Sequence, residues 1–249
     1  MALRAAIEAS GLEFAGYGSR RVPKAVQRAG WTVTHKRVLR IMREEALLCP
    51  LKRRWVPTTD SGPGLTTSPN LLLQTEGSRL NQVWGADIPS IRWPRGVASL
   101  AAILEACSRR VIGWALARGI ETARTLQALD HALATRPVAP GLIHPADRGV
   151  QYASRAYVAR LQERGLQLSL AARGHPSENA PAERFFTTLK SEEVYLQEYR
   201  TIDEARQHLD RVIEEVYNTK RLHSALGYRP PAECELLLSR QPCELALVR

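Results

Sequence analysis

Three acids stand where chemistry could be done: Asp87, Asp147 and Glu183. Asp87 interrupts the apolar run Val83-Trp84-Gly85-Ala86-Asp87-Ile88, and Asp147 follows Gly141-Leu142-Ile143-His144. Glu183 lies in Glu178-Asn179-Ala180-Pro181-Ala182-Glu183-Arg184-Phe185-Phe186, which reads as the opening of a helix, and 35 residues separate it from Asp147. Cutting or joining a phosphodiester requires charge to be stabilised on an attacking and a leaving oxygen. Two divalent cations about 3.5–4 Å apart do this, one at each oxygen. Magnesium-like cations demand oxygen ligands, which carboxylates supply and bridge. Such chemistry therefore needs acids from separate elements that meet in space. Taken singly, each acid has a plainer role, as a turn or cap residue or as a complement to a helix dipole. Asp87 is the exception, because a charge within an apolar strand is costly unless paired or metal-bound.

The elements that must position these acids follow from the spacing of apolar residues. Residues 83–92, 97–106 and 111–116 are three apolar runs with short connections, as in an antiparallel meander. A helix follows with Leu126, Leu129 and Leu133 on one face, then a short strand at Leu142 and Ile143. Next come a helix from Ser154 that buries Tyr157, Val158 and Leu161 and closes at Gly165, and an alternating strand of Leu166, Leu168 and Leu170. A long helix then runs from about Pro181 into the 190s. If the strands bearing Asp87 and Asp147 are neighbours, their carboxyl ends and the start of the Glu183 helix converge on one crevice. A last helix opens on the capping box of Thr201 and Glu204 and buries Ala205, Leu209, Val212, Ile213 and Val216.

Charge is unevenly spread along the chain. The net charge is +10 over 249 residues, and residues 1–56 hold 12 Lys/Arg against 4 Asp/Glu. That concentration suits a polyanionic partner. Residues 1–16 are weakly patterned, as in a frayed or truncated helix. Val22, Ala25 and Val26 then mark a short helix ending near Gly30, and Trp31-Thr32-Val33-Thr34 leads into a second one with Val38, Ile41 and Met42 at helical spacing. Lys36, Arg37, Arg40 and Arg43 occupy its other face. Two short helices about a tight turn, the second basic, suit either a helix-turn-helix against DNA or a merely solvated basic hairpin. Residues 49–80, broken by Pro50, Pro57, Ser61-Gly62-Pro63-Gly64 and Ser68-Pro69-Asn70, look like a linker. The division expected is a helical module at 1–48, this linker, a catalytic core at 81–235 and a tail at 236–249. The four cysteines lack metal-ligand spacing, and no apolar run spans a bilayer or resembles a signal peptide, so a reducing cytoplasm is expected.

Several strings then converge on one resemblance. Asn81-Gln82-Val83-Trp84 with Asp87-Ile88, Ser108-Arg109-Arg110-Val111-Ile112-Gly113-Trp114, and Asp147-Arg148-Gly149-Val150-Gln151-Tyr152 resemble insertion-sequence transposases with a retroviral-integrase-type core. Asn179-Ala180, Glu183, Phe185-Phe186, Leu189-Lys190, and Tyr217-Asn218 through Arg221 to His223-Ser224-Ala225-Leu226-Gly227-Tyr228 belong to the same pattern. The match is to the OrfB catalytic half of the insertion-sequence-three family and extends over about residues 17–235. It implies an α/β fold: an RNase H-like integrase core, a five-stranded mixed sheet with flanking helices, preceded by a small helix-turn-helix module. It implies a DDE triad of Asp87, Asp147 and Glu183 holding two Mg2+ ions, with Mn2+ as substitute, and no covalent enzyme–DNA intermediate. Implied partners are double-stranded DNA (terminal inverted repeats and target), further copies of the chain on that DNA, and a product of an upstream frame; no membrane is involved. Nucleoid association on DNA follows from the same resemblance.

Lys190, seven residues after Glu183, shares its helix face and suits a phosphate contact or plain solvation. Arg148 and Gln151 flank Asp147 and suit DNA positioning or turn capping. Departures from the family pattern are Ala86 and Pro89 beside the first aspartate, and Glu178 and Glu105 where aspartate is usual. Pro89 should distort the sheet near the site or sit at a bulge, since proline removes a ladder hydrogen bond. Two alternatives stand beside active transposition: a decayed copy acting only by binding DNA, and an RNase H-type nuclease.

Overall fold

The computed structural model describes residues 2–14, 16–49, 79–93, 96–118, 122–146, 152, 154–170 and 179–240. Three helices open the chain: α1 (Ala2–Glu13), α2 (Arg21–Arg28) and α3 (His35–Glu44). Their small core holds Ile7, Tyr17, Val22, Val26, Val38, Ile41 and Met42. The weakly patterned start is thus a formed helix, although only Ile7 of α1 is buried, which is why no period stood out. Gly30 (φ +92°) supplies the left-handed turn after α2. Thr34 then caps α3, its hydroxyl accepting from the Arg37 N–H at 3.4 Å.

The second unit is an α/β/α sandwich on a mixed sheet. β1 (Trp84–Asp87), β2 (Ser90–Trp93), β3 (Gly96–Glu105), β4 (Val111–Arg118), β5 (Ile143–Ala146) and β6 (Gln167–Leu170) lie in one sheet. β1 and β2 both pair antiparallel with β3 in one register, from Trp84↔Glu105 to Trp93↔Gly96, so they form one line interrupted at Ile88-Pro89. Pro89 therefore interrupts the strand without a bulge: its carbonyl still accepts from the Leu100 N–H at 3.1 Å, and only the missing donor breaks the ladder. The irregularity of register lies elsewhere, between Ile103 and Leu104 against β4. With β1 and β2 counted as one, the sheet has five lines, and the last two join by parallel pairing: Ala86↔Ala146, and Ile143↔Gln167 through Ala146↔Leu170.

Strand alternation sorts the layers. Trp84, Ala86, Ala101 and Ile103 face α4 (Thr122–Thr135) and α5 (Arg155–Glu163), with Leu129, Tyr157 and Leu161. Leu100, Ala102 and Leu104 face α6 (Ala180–Glu192) and α7 (Ile202–Arg211), with Phe185, Phe186, Leu189 and Leu209. Thr201 caps α7 as expected, but the Glu204 carboxylate reaches back to the Arg200 N–H (2.8 Å) rather than to that of Thr201. α7 continues through a widened π turn, Val212–Tyr217, which delivers Asn218 to the outer edge of β4. There the Asn218 amide accepts from the Val111 N–H and donates to its carbonyl, both at 3.0 Å, as a neighbouring strand would. The last helix, α8 (Pro231–Arg240), runs through the domain boundary expected at 235.

Gly113 lets α4 lie directly on β4: a Cβ there would meet the Ala128 carbonyl oxygen at 2.2 Å and the Ala132 nitrogen at 2.8 Å. Neither backbone atom can rotate away. Gly113→Ala is therefore expected to cost about 1–3 kcal/mol or more of stability by overpacking, measured as a lowered urea midpoint.

Candidate metal-ion and DNA site

Alternation along β1 settles where Asp87 points. Trp84 and Ala86 are buried under α4 and α5, so Gly85 and Asp87 face the α6 side. A Cβ on Gly85 would stand 3.8 Å from the Ala182 Cβ, so the first turn of α6 rests on this strand. Glu183 follows Ala182 in that turn, where its carboxylate also complements the helix dipole. The half-buried Asp87 carboxylate accepts from the Ile88 N–H at 2.8 Å, and the exposed Glu183 is reachable from solvent.

Further along α6, burial lowers the Lys190 ammonium below its usual pKa, and the Asp87 carboxylate acts against that shift. Lys190 is thus within electrostatic reach of Asp87 while remaining partly open to solvent. Asp147, Arg148 and Gln151 lie outside the described residues. What is described is that Ala146, the residue before Asp147, is the parallel register partner of Ala86, the residue before Asp87. Among the described residues no group of three or more His, Cys, Asp or Glu side chains is arranged to hold a metal ion.

The donors gathered here are oxygens. His144, on the neighbouring strand, is fully buried and shares a 2.8 Å hydrogen bond with Tyr157 through Nε2. Burial pushes its pKa down to about 4, so it is a neutral core residue. His223 is half-buried and held neutral, its pKa lowered to about 3 by burial and the neighbouring arginines. Glu105, the last residue of β3, is wholly buried, and its carboxylate accepts from the N–H groups of Asn81 (3.2 Å) and Ser108 (2.6 Å). It therefore shapes the turn into β4 and stands away from the acids above.

Lys36, Arg37, Arg40 and Arg43 all lie exposed on α3, while Val38, Ile41 and Met42 face inward. Arg40 pairs with Glu44 at 3.5 Å, an exposed contact that a phosphate could replace. The basic helix belongs to the N-terminal module, so the structure does not gather all the residues singled out above into one site. It does tie the two units together. The Tyr17 hydroxyl accepts from the Leu222 N–H at 2.6 Å, Arg28 pairs with Glu233, and Lys220 pairs with Glu13 at 3.0 Å. Glu192, the last residue of α6, accepts from Arg221 at 2.7–3.0 Å and pairs with Arg21 of α2 at 3.5 Å. No sequence spacing announces such contacts. The strings that included Asn218 and Arg221 were the only signal of them.

With this geometry in hand, relatives are informative. The integrase core domain description matches residues 77–176 and 164–231, and an HTH-like domain description matches residues 2–55. The chain is 35% identical over 217 residues to the insertion element IS600 uncharacterized 31 kDa protein of Shigella sonnei, covering 87% of this chain and 80% of that protein. It is 31% identical over 220 residues to the transposase for insertion sequence element IS904 of Lactococcus lactis, covering 88% and 87%. Transposase InsF for insertion sequence IS3A of Escherichia coli is 32% identical over 220 residues, covering 88% and 76%. Among solved structures, a chain of the simian T-cell lymphotropic virus intasome shares the fold, with a TM-score of 0.51 at 14% identity over 92% of this chain and 73% of that one.

Proposed function

The chain belongs to the insertion-sequence transposases with an integrase core, enzymes that bind, cleave and join DNA, and on that premise we propose that Asp87, Asp147 and Glu183 carry the reaction. One observation supports the assignment above others: Ala86 and Ala146 are register partners in parallel strands, and α6 begins against the same stretch of β1. Consecutive Cα atoms are about 3.8 Å apart, so the residues following two register partners start from adjacent backbone positions. Glu183 enters from the helix layed on that face, one residue after Ala182. This pairing supports a reading in which acids far apart along the chain act at one place.

A donor set of carboxylate oxygens fits hard divalent cations, and the buried, neutral His144 takes no part in it. Two Mg2+ ions, with Mn2+ as substitute, would be held by Asp87, Asp147 and Glu183. When bound, they supply positive charge at the attacking and leaving oxygens. The chain's residues hold the DNA in line. Water attacks the phosphorus at the element's end, the 3′ oxygen leaves, and the 3′ hydroxyl so freed attacks a second phosphodiester, whose own 3′ oxygen leaves in turn. Lys190, within electrostatic reach of Asp87, would hold a phosphate oxygen, with Arg148 and Gln151 positioning the strand. Lys36, Arg37, Arg40 and Arg43 would bind the terminal repeats. An element has two ends, so copies of the chain would act together on DNA. The functional division is a module at 1–48, a linker at 49–80, a catalytic core at 81–235 and a tail at 236–249.

The test is incubation of the purified chain with Mg2+ and duplex DNA carrying the element's terminal inverted repeats. Nicked ends and strand-transfer products are expected; cleavage of RNA–DNA hybrids without strand transfer would point instead to an RNase H-type nuclease. Binding of the repeats should weaken about tenfold or more for Arg40→Ala with Arg43→Ala, and the slope of log affinity against log salt should fall by about 2. An unchanged slope would remove α3 from the DNA interface.

A further inference from the structure

We propose that Asn179 is a positioning residue for catalysis, its side-chain amide fixing where Glu183 stands relative to Asp87. This rests on the assignment of those two acids given above. Asn179 immediately precedes α6, and asparagine at such a place ordinarily caps its own helix by accepting a bond from the first turn. Here the side chain makes no capping bond. Its Nδ2 donates instead to the Ala86 carbonyl at 2.8 Å, in a buried contact across 93 residues of sequence.

Both ends of that bond sit next to the chemistry. Ala86 precedes Asp87 and is the register partner of Ala146. Asn179 lies four residues before Glu183, about one helical turn, so a shift of the anchor carries over to the acid. Gly85 admits the amide: a Cβ at that position would stand 3.0 Å from Asn179 Oδ1. Asn179 is only 5% exposed, and its buried Oδ1 accepts no hydrogen bond from the described residues. An amide that does not cap its helix, and whose oxygen finds no donor among the described residues, is poorly spent as a stabiliser. As a tether between β1 and the start of α6, it holds two acids at a set separation.

Outer residues that orient metal-binding acids typically contribute about 10–100-fold to metal affinity or activity. For Asn179→Ala, and for Asn179→Asp, which keeps the size but loses the donor, Mn2+ binding followed by electron paramagnetic resonance should weaken about tenfold. The kcat for strand transfer should fall by a similar factor, while KM for repeat DNA changes little. Gly85→Ala, which presses on the amide from the strand side, should reproduce the loss, and in an Asn179→Ala background it should add little, because the oxygen it meets is gone. Multiplicative losses in that pair would overturn the proposal, as would wild-type Mn2+ affinity in both Asn179 variants. Asp87→Asn and Glu183→Gln are the control arms. If they bind Mn2+ and turn over normally, the assignment of the acids fails. If they lose both while the Asn179 variants do not, only the positioning role fails.

Discussion

Asp87→Asn and Glu183→Gln are each expected to abolish Mg2+-dependent cleavage and strand transfer while leaving binding to the terminal repeats intact. Both substitutions keep shape and remove charge. A bound divalent cation is worth several kcal/mol of charge stabilisation in the transition state, and a loss of about 4 kcal/mol corresponds to about 10³-fold in rate. Folding should be nearly untouched. Asp87 is half-buried and its Oδ1 accepts one local N–H, which an asparagine oxygen also accepts, and Glu183 is exposed. Repeat binding is assigned to α3 in the other unit, so gel-shift affinity should stay within about twofold, given that additivity holds for distant sites. Rates within tenfold of wild type for both variants would remove these acids from the reaction. Asp147→Asn extends the same test to the third acid.

Glu192→Ala should give the largest loss of stability and should uncouple the N-terminal module from the catalytic helix. The Arg221 side chain is 5% exposed and that of Glu192 is 15%, with contacts of 2.7, 2.8 and 3.0 Å between them. Removing one member of a buried pair leaves the other charge uncompensated, which costs about 3–5 kcal/mol. Arg21, at 3.5 Å and 20% exposed, is the weaker partner, so Arg21→Ala should cost about 1 kcal/mol or less. Gly16 belongs to the same joint, because a Cβ there would run into the Glu192 side chain. A urea midpoint for Glu192→Ala no lower than that for Arg21→Ala would show that the two units are held together by the Tyr17 and Arg28 contacts instead.

The legibility of the chain varied with the range of the interaction involved. The meander, the order of strands and helices, and the two-helix pattern after Tyr17 were visible because apolar period and turn residues act over a few positions. Pro89 illustrates the limit. Its missing donor was evident from residue type, but whether the neighbours would absorb it by bulging or by keeping register was not. The single register kept from Trp84↔Glu105 to Trp93↔Gly96 across the interruption is a property of β3 as much as of β1. α1 is silent for a related reason: one buried residue, Ile7, leaves no period to see.

The site divides the same way. Residue type and the order of motifs singled out Asp87, Asp147 and Glu183, because acids in apolar strands and at helix starts are chemically conspicuous. Asn179 was visible as part of a motif, yet nothing local distinguishes a helix cap from a tether to Ala86, since an asparagine amide serves both equally well. Asn218, spent on the edge of β4, and Glu192, gripped by Arg221, are ordinary surface residue types until the fold buries the first and half-buries the second. By itself, then, the amino-acid order determined most of the elements and the class of chemistry and singled out the candidate acids, all consequences of short-range preference and side-chain identity. Only the tertiary structure decided which polar groups meet across the sheet and between the two units, because those pairings depend on backbone positions brought together from tens to hundreds of residues apart.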